Sequence, residues 1–434
     1  MTTTYPFQSA LEDDDDINAM ELFRYAVEQK CSDIHLKPGS PPKLRIQGEL
    51  VPIPDMEPLT AEQLDWIVQQ TMSERVQALF AHNKFSSDYG YDLPNIGRFR
   101  INAYKTRGAT AMVARHLIDE PPTFDDLRTN PVIADLMKFN SGLILVSGAT
   151  GSGKTTLMAA MIQRINSTRT SNIISVEDPI EIVHRDISSS VSQREVGLDV
   201  ESFAAALKDS LREDPDVILI GEIRDEATAR AALKAAETGH LVISTIHATN
   251  TPGAITRFLE IFPHVERDGI ASILSGALRG IIGQRLVANT EGKRTAVNEI
   301  LLNSPALQHA LEENNTKNSV LIKILEDGIV DGMQTFEFHL AKLFEDGEIV
   351  EHVARDNATD HAKIAILLDA AKQKRLDAIV MPKRPPEPGS FSERVDFAAE
   401  HMRRSSAATP FFREGELPAK PTLQRPRLPL PPRA

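Results

Sequence analysis

Gly148-Ala149-Thr150-Gly151-Ser152-Gly153-Lys154-Thr155 carries glycines, a lysine and a hydroxyl at the GxxxxGK[ST] spacing of a loop that wraps phosphate oxygens. Glycines let main-chain N–H groups turn inward, the lysine can reach β- and γ-phosphates, and the Thr155 hydroxyl can ligate magnesium. A glycine-rich turn arising by chance needs neither a strand before it nor a helix after it. Here the apolar run Leu143–Ser147 precedes the loop, and Met158, Met161, Ile162 and Ile165 follow at the spacing of one helix face starting near Lys154. The expected nucleotide-binding residues are Gly148, Thr150, Gly151, Ser152, Gly153, Lys154, Thr155 and Thr156, with Thr155 at the metal.

Carboxylates decide what such a loop is for. Asp216-Val217-Ile218-Leu219-Ile220-Gly221-Glu222 is an apolar strand that delivers Glu222 to the carboxyl edge of a sheet, where it can orient or deprotonate an attacking water. The strand Ile173–Val176 ends in Glu177-Asp178 at the same edge and, falling between the two signatures in sequence, points to an additional-strand ATPase. No Asn-Lys-x-Asp guanine signature occurs, so ATP with Mg2+ is the expected cofactor pair. Asp178, Asp214 and Asp216 also have a plainer reading as turn or element caps. Thr238–His247 sets histidines on both sides of another apolar strand. His247 is the functional candidate, because it ends the strand near the phosphates, while His240 is evenly balanced between structure and function. One cysteine and no tight histidine cluster leave no basis for a protein-held zinc site.

These side chains need a scaffold. Short, continuously apolar strands at 143–147, 173–176, 217–220 and 241–245, separated by helices, predict an α/β core with a parallel sheet covered on both faces. Upstream, Arg98–Ala103 alternates strictly, with Phe99, Ile101 and Ala103 on one face and Arg98, Arg100 and Asn102 on the other. A turn at Lys105–Gly108 leads into a second strand, Ala111–Leu117, that carries Arg115, so the first part of the chain reads as a smaller α+β domain. The expected organisation is an acidic disordered tail over 1–16, an N-terminal domain over 17–118, a linker over 119–130, an ATPase domain with C-terminal helices over 131–381, and a disordered tail over 382–434. The break is set at Pro121-Pro122, and the last segment holds 11 of the 27 prolines.

Composition narrows the partners. The 434 residues are 41% apolar and 25% charged, ordinary globular values. A formal charge of −13 argues against an unspecific binder of nucleic acid or anionic lipid. The single cysteine, Cys31, fits a reducing, cytoplasmic compartment, and charges interrupt every run long enough to insert into a membrane.

Taken together, the motifs resemble the hexameric ATPases of type IV pili and type II secretion, and within them the PilT-like pilus-retraction branch of twitching motility. The likeness runs from about Cys31 to about Glu351. Cys31-Ser32-Asp33-Ile34-His35-Leu36 resembles the opening of the family's PAS-like domain and Arg98–Asn102 its arginine-bearing strand. Val176–Glu181 is similar to the aspartate box, Arg212–Asp225 to the Walker B segment and Thr238–His247 to the histidine box. Gln193–Gly197 and Gly332–Phe336 also match. The resemblance implies a RecA-like core, with Glu222 as catalytic glutamate, Glu177 as a second carboxylate at metal and water, and His247 as a reporter of the γ-phosphate. Arg100 and Arg115, with Arg98 as a third, would act as arginine fingers. It further implies a homohexamer, peripherally recruited to the inner membrane through a pilus platform protein, with a paralogous pilus ATPase as a further partner. The chain departs from the retraction branch at Pro305–Leu311, which lacks an arginine, and a lone cysteine cannot build the four-cysteine zinc element of assembly relatives. The alternatives are a related secretion motor or accessory paralogue and, from other classes, a nucleotide-regulated scaffold without significant turnover or a nucleic-acid translocase.

Overall fold

The structure is a computed structural model that describes residues 18–380 except 47, 84, 95 and 118–120. The acidic segment 1–16 and the proline-rich segment 382–434 therefore lie outside the described residues, as do Asp119 and Glu120 of the expected linker.

Two sheets organise residues 18–372. The first contains β1 (Asp33–Leu36), β2 (Lys43–Ile46), β3 (Glu49–Pro52), β4 (Ser86–Leu93), β5 (Gly97–Thr106) and β6 (Ala109–His116), in spatial order β3-β2-β1-β6-β5-β4 with every pair antiparallel. Its alternation is the one read in the sequence: Phe99, Ile101 and Ala103 are buried, packed with Phe23 and Ile67 from helices on that face. Such a half-buried antiparallel sheet leaves its other face free to carry charge. The β5–β6 connection turns at Arg107-Gly108, both in the left-handed region, and this two-residue hairpin starts β6 at Ala109, two residues before the expected Ala111.

The second sheet contains β7 (Gly142–Ser147), β8 (Asn172–Glu177), β9 (Ser190–Glu195), β10 (Val217–Ile220), β11 (Leu241–Ile246), β12 (Leu278–Ala288) and β13 (Arg294–Leu302). Their order is β13-β12-β7-β11-β10-β8-β9, parallel except for the β12–β13 hairpin at one edge. Strands β7 and β11 are buried at every position, as expected for a sheet with helices on both faces. Leu157, Met161 and Ile165 of the helix Lys154–Thr168 pack on one face, and Ile255 and Phe258 of the helix Thr251–Glu260 belong to a separate apolar cluster. The strand inserted between β7 and β10 is β11, not β8, which pairs on the far side of β10. Chain order alone could not reveal this, since a right-handed crossover can place a strand on either side of its predecessor. No helix among the described residues is long and apolar enough to cross a membrane.

Candidate functional site

The carboxyl ends of β7, β8, β10 and β11 open into a cleft of about 700 Å³, a size suited to a small-molecule ligand. The loop after β7 forms one wall. Gly153 caps the helix Lys154–Thr168 with φ +83°, a conformation that disfavours any side chain with a Cβ. Thr150, Gly151, Gly153, Lys154, Thr155 and Thr156 line the cleft. Gly148 and Ser152, expected with them, are buried behind the loop and shape it from inside. Lys154 Nζ donates to the Gly148 and Ala149 carbonyls at 2.9 and 3.0 Å, folding the ammonium across the loop. Burial pulls its pKa below the usual lysine value, while the Glu222 carboxylate opposes that shift.

Opposite the lysine stands Glu222. Its Oε1 lies 3.0 Å from His247 Nε2 and its Oε2 accepts from Arg224 Nε at 2.7 Å. The strand ends fix this geometry: Ile223 N–H donates to Thr245 O at 3.0 Å and Thr245 Oγ1 to Gly221 O at 2.7 Å, which ties the end of β10 to that of β11. Glu177 ends β8 at the same cleft. Its Oε1 accepts from Ser175 Oγ and, at 3.0 Å, from Gln193 Nε2, yet burial still pushes its carboxyl above the ordinary glutamate range. Gln193 is itself anchored, donating to Ile182 O at 2.9 Å and accepting from His184 N–H at 2.8 Å. Among the described residues no cluster of three histidine, cysteine, aspartate or glutamate side chains could hold a metal by itself. The Thr155 hydroxyl beside Glu222 and Glu177 instead offers the sparse oxygen donor set that suits Mg2+ when phosphates supply other ligands.

The first sheet contributes cations to this cleft. Arg100 and Arg115 both line it, Arg100 with Nη1 3.5 Å from Glu181 Oε1 and Arg115 with Nε 2.9 Å from Asp33 Oδ1. Arg98 does not join them. Its Nη2 bonds Glu195 Oε2 at 2.6 Å and its Nη1 bonds Asp92 Oδ2 at 2.7 Å, so it pins the first sheet to the end of β9. His240 also has a structural place, with Nδ1 3.0 Å from Ala235 O at the opposite edge of the sheet from the cleft. Asp216 accepts the Asn172 N–H at 2.8 Å and is a cap.

Sequence reasoning missed several residues. Gln193 belongs to a motif noted only for its resemblance, and Arg224 follows Glu222 by two positions; their partners were the signal available. Asp33 was a letter in a motif, and its tie to Arg115 is visible only once β1 and β6 are paired. A second cavity of about 520 Å³ shares Gly153, Thr156, Leu286 and Arg294 with the cleft and is walled by 126–129, 289–291 and 346–348. Three segments so far apart in the chain leave no local pattern to read.

The family profile described as "Type II/IV secretion system protein" matches residues 99–333. The chain is 37% identical over 344 residues to the type IV pilus retraction ATPase PilT of Pseudomonas aeruginosa, covering 79% of this chain and 98% of that one. It is 36% identical over 358 residues to the type IV pilus ATPase PilU of the same organism, covering 82% and 93%. Among solved structures, the pilus retraction motor PilT with bound ADP superposes with a TM-score of 0.74 at 38% identity, over 81% of this chain and 100% of that chain.

Proposed function

Because this chain belongs to the type II/IV secretion system protein family, we propose that it is an ATP-hydrolysing motor of the pilus-retraction type, working as a homohexameric ring. The observation that carries this reading is the meeting, in one cleft, of a phosphate loop, the Glu222–His247 pair and two arginines from a separate sheet. A static nucleotide binder needs only the first of these.

In this reading the loop N–H groups and Lys154 hold the phosphates. Glu222, kept in place by His247 and Arg224, takes up the proton of the attacking water. Glu177, anchored by Gln193, sets the polarity beside it. Thr155, with Glu222 and Glu177, would hold Mg2+, whose charge offsets that of the phosphates. Arg100 and Arg115 stabilise the charge developing on the transferred phosphoryl group. Because they stand on a different sheet from the loop, their approach and withdrawal links hydrolysis to movement of the first sheet against the second. The second cavity, continuous in its lining with Gly153 and Thr156, suits the base and ribose. The ring would pass its motion to an inner-membrane platform protein to which it is peripherally recruited from the cytoplasm.

A second reading, an accessory pilus motor, is favoured by one feature. The helix Pro305–Glu312 carries no arginine where the retraction branch has its arginine-bearing stretch. Steady-state ATP hydrolysis over a range of protein concentrations tests the main reading. Specific activity should rise with concentration as rings assemble, vanish in Lys154→Ala together with binding, and vanish in Glu222→Gln with binding retained. Binding without turnover in the wild type would leave a nucleotide-regulated scaffold.

A further inference from the structure

Strand β12 runs on past the end of β7: Gly283 pairs with Ser147, and the next residue, Gln284, lies alongside the phosphate loop itself. The contact is close. A Cβ built on Gly148 would come within 2.6 Å of the Gln284 carbonyl oxygen, and one built on Gly153 within 2.8 Å of Gln284 Nε2. Gln284 is 4% exposed, and its Nε2 donates to the Ser152 carbonyl at 2.9 Å. The loop is therefore backed from behind by a single buried amide.

That amide ends a longer chain. Gln284 Oε1 accepts from Asn298 Nδ2 at 3.0 Å, and the Asn298 carbonyl accepts from Gln334 Nε2 at 2.8 Å. Gln334 Oε1 in turn accepts from Asn130 Nδ2 at 3.1 Å, while Asn130 Oδ1 accepts the Val132 N–H at 3.0 Å as N-cap of the helix Pro131–Leu136. Asn298 and Gln334 are buried, at 1% and 7% exposure, so water cannot substitute for a lost link at little cost. Main-chain groups set the polarity of the chain. The Val132 N–H can only donate, so Asn130 must turn its oxygen there and its NH2 towards Gln334. The Asn298 and Ser152 carbonyls can only accept, so Gln334 and Gln284 must turn their NH2 groups to them. Every link donates towards the phosphate loop.

We propose that Gln284 is a positioning residue of the phosphate loop, and that Asn130, Gln334, Asn298 and Gln284 form a directional relay by which the end of the segment joining the two sheets sets the loop's grip on nucleotide. The proposal rests on the reading that this loop holds the phosphates of ATP. It also gives a role to Gln334 of the Gly332–Phe336 motif, which the chemistry in the cleft does not use.

The test is binding of a fluorescently labelled, slowly hydrolysed ATP analogue to the full chain. Gln284→Glu keeps the side-chain shape but puts an acceptor against the Ser152 carbonyl. Asn130→Asp keeps the helix cap, since both residues cap equally well, but cannot donate to Gln334. Each should weaken binding by about fivefold or more. The double variant should lose less than the product of the two, although the two residues share no direct contact. Wild-type affinity in Asn130→Asp, or a double variant equal to the product, overturns the relay even if Gln284→Glu proves unstable. A wild type that does not bind, or a Lys154→Ala variant that binds equally well, overturns the nucleotide reading beneath it instead.

Discussion

Arg100 on β5 and Arg115 on β6 are direct cross-strand partners, so two guanidinium groups stand side by side on the sheet face that borders the cleft. Like charges in that position destabilise a sheet by a few tenths of a kcal/mol or more unless anions lie close, and here Glu181 faces Arg100 and Asp33 faces Arg115. The row continues through Asp33, the β1 partner of Arg115, and Arg45, the β2 partner of Asp33. Asp33 has its carboxyl held below the usual range, burial opposing hydrogen bonds from Arg115 and Ser32, and it serves as the fixed anion that aims Arg115.

The two arginines should therefore separate in stability and agree in activity. Arg100→Gln removes a loose, half-exposed contact to Glu181 and should leave the thermal midpoint unchanged or slightly higher. Arg115→Gln takes from Asp33, whose side chain is only 8% exposed, its shortest ion pair, leaving the Ser32 hydroxyl and Arg45 at 4.0 Å, and should cost about 1 kcal/mol. Either substitution should lower ATP turnover by about 100-fold or more while nucleotide still binds. Turnover within a factor of two of wild type in both would exclude them as fingers.

Arg98 shows how the same strand face does a different job two residues away. Its ion pair with Glu195 is largely out of water, at 11% and 4% side-chain exposure, and Gly90 N–H also donates to Glu195 Oε1 at 3.3 Å. A Cβ on Gly90 would fall 2.6 Å from Arg98 Nη2 and 3.1 Å from Glu195 Oε2. Removing one partner of a buried pair costs about 3 kcal/mol, so Arg98→Ala should lower stability markedly, and Gly90→Ala should lower it by displacing the same guanidinium. Thermal melts of the double variant should show much less than the sum of the two losses, because both act on one contact. Full additivity would separate Gly90 from the pin.

Much of this was legible from local pattern. The phosphate loop, the four central strands and the apolar face of β5 depend on periodicity and on a glycine spacing that short-range sterics enforce. Glu222 and His247 were legible because apolar strands of a parallel sheet end at one edge. What failed was non-local. Arg98 and Arg100 share a face and a residue type, and only the docking of β9 against that face gives Arg98 to Glu195 and leaves Arg100 at the cleft. The place of β11 between β7 and β10 depends on crossover geometry, and the partnership of Gln193 with Glu177 on the pairing of β8 with β9.

Glu177 links stability to pH. Its carboxyl is raised above the ordinary glutamate value of 4.5, mainly by burial, so the folded chain holds that proton more tightly than the unfolded chain does. The stability this contributes is complete below pH 4.5 and is lost as pH rises through the raised value, because the native state must then bury a charge or keep a proton that the unfolded state has released. Glu177→Gln keeps an acceptor for Ser175 and Gln193 and has nothing to titrate. Without nucleotide, the variant should match the wild type in urea-unfolding midpoint near pH 4.5 and exceed it at pH 8. Its ATP turnover should fall, since a buried carboxylate that destabilises the resting fold is useful only where its charge meets metal and water. An equal gap between the two proteins at both pH values would show that Glu177 carries no such burden and that its environment accepts the charge.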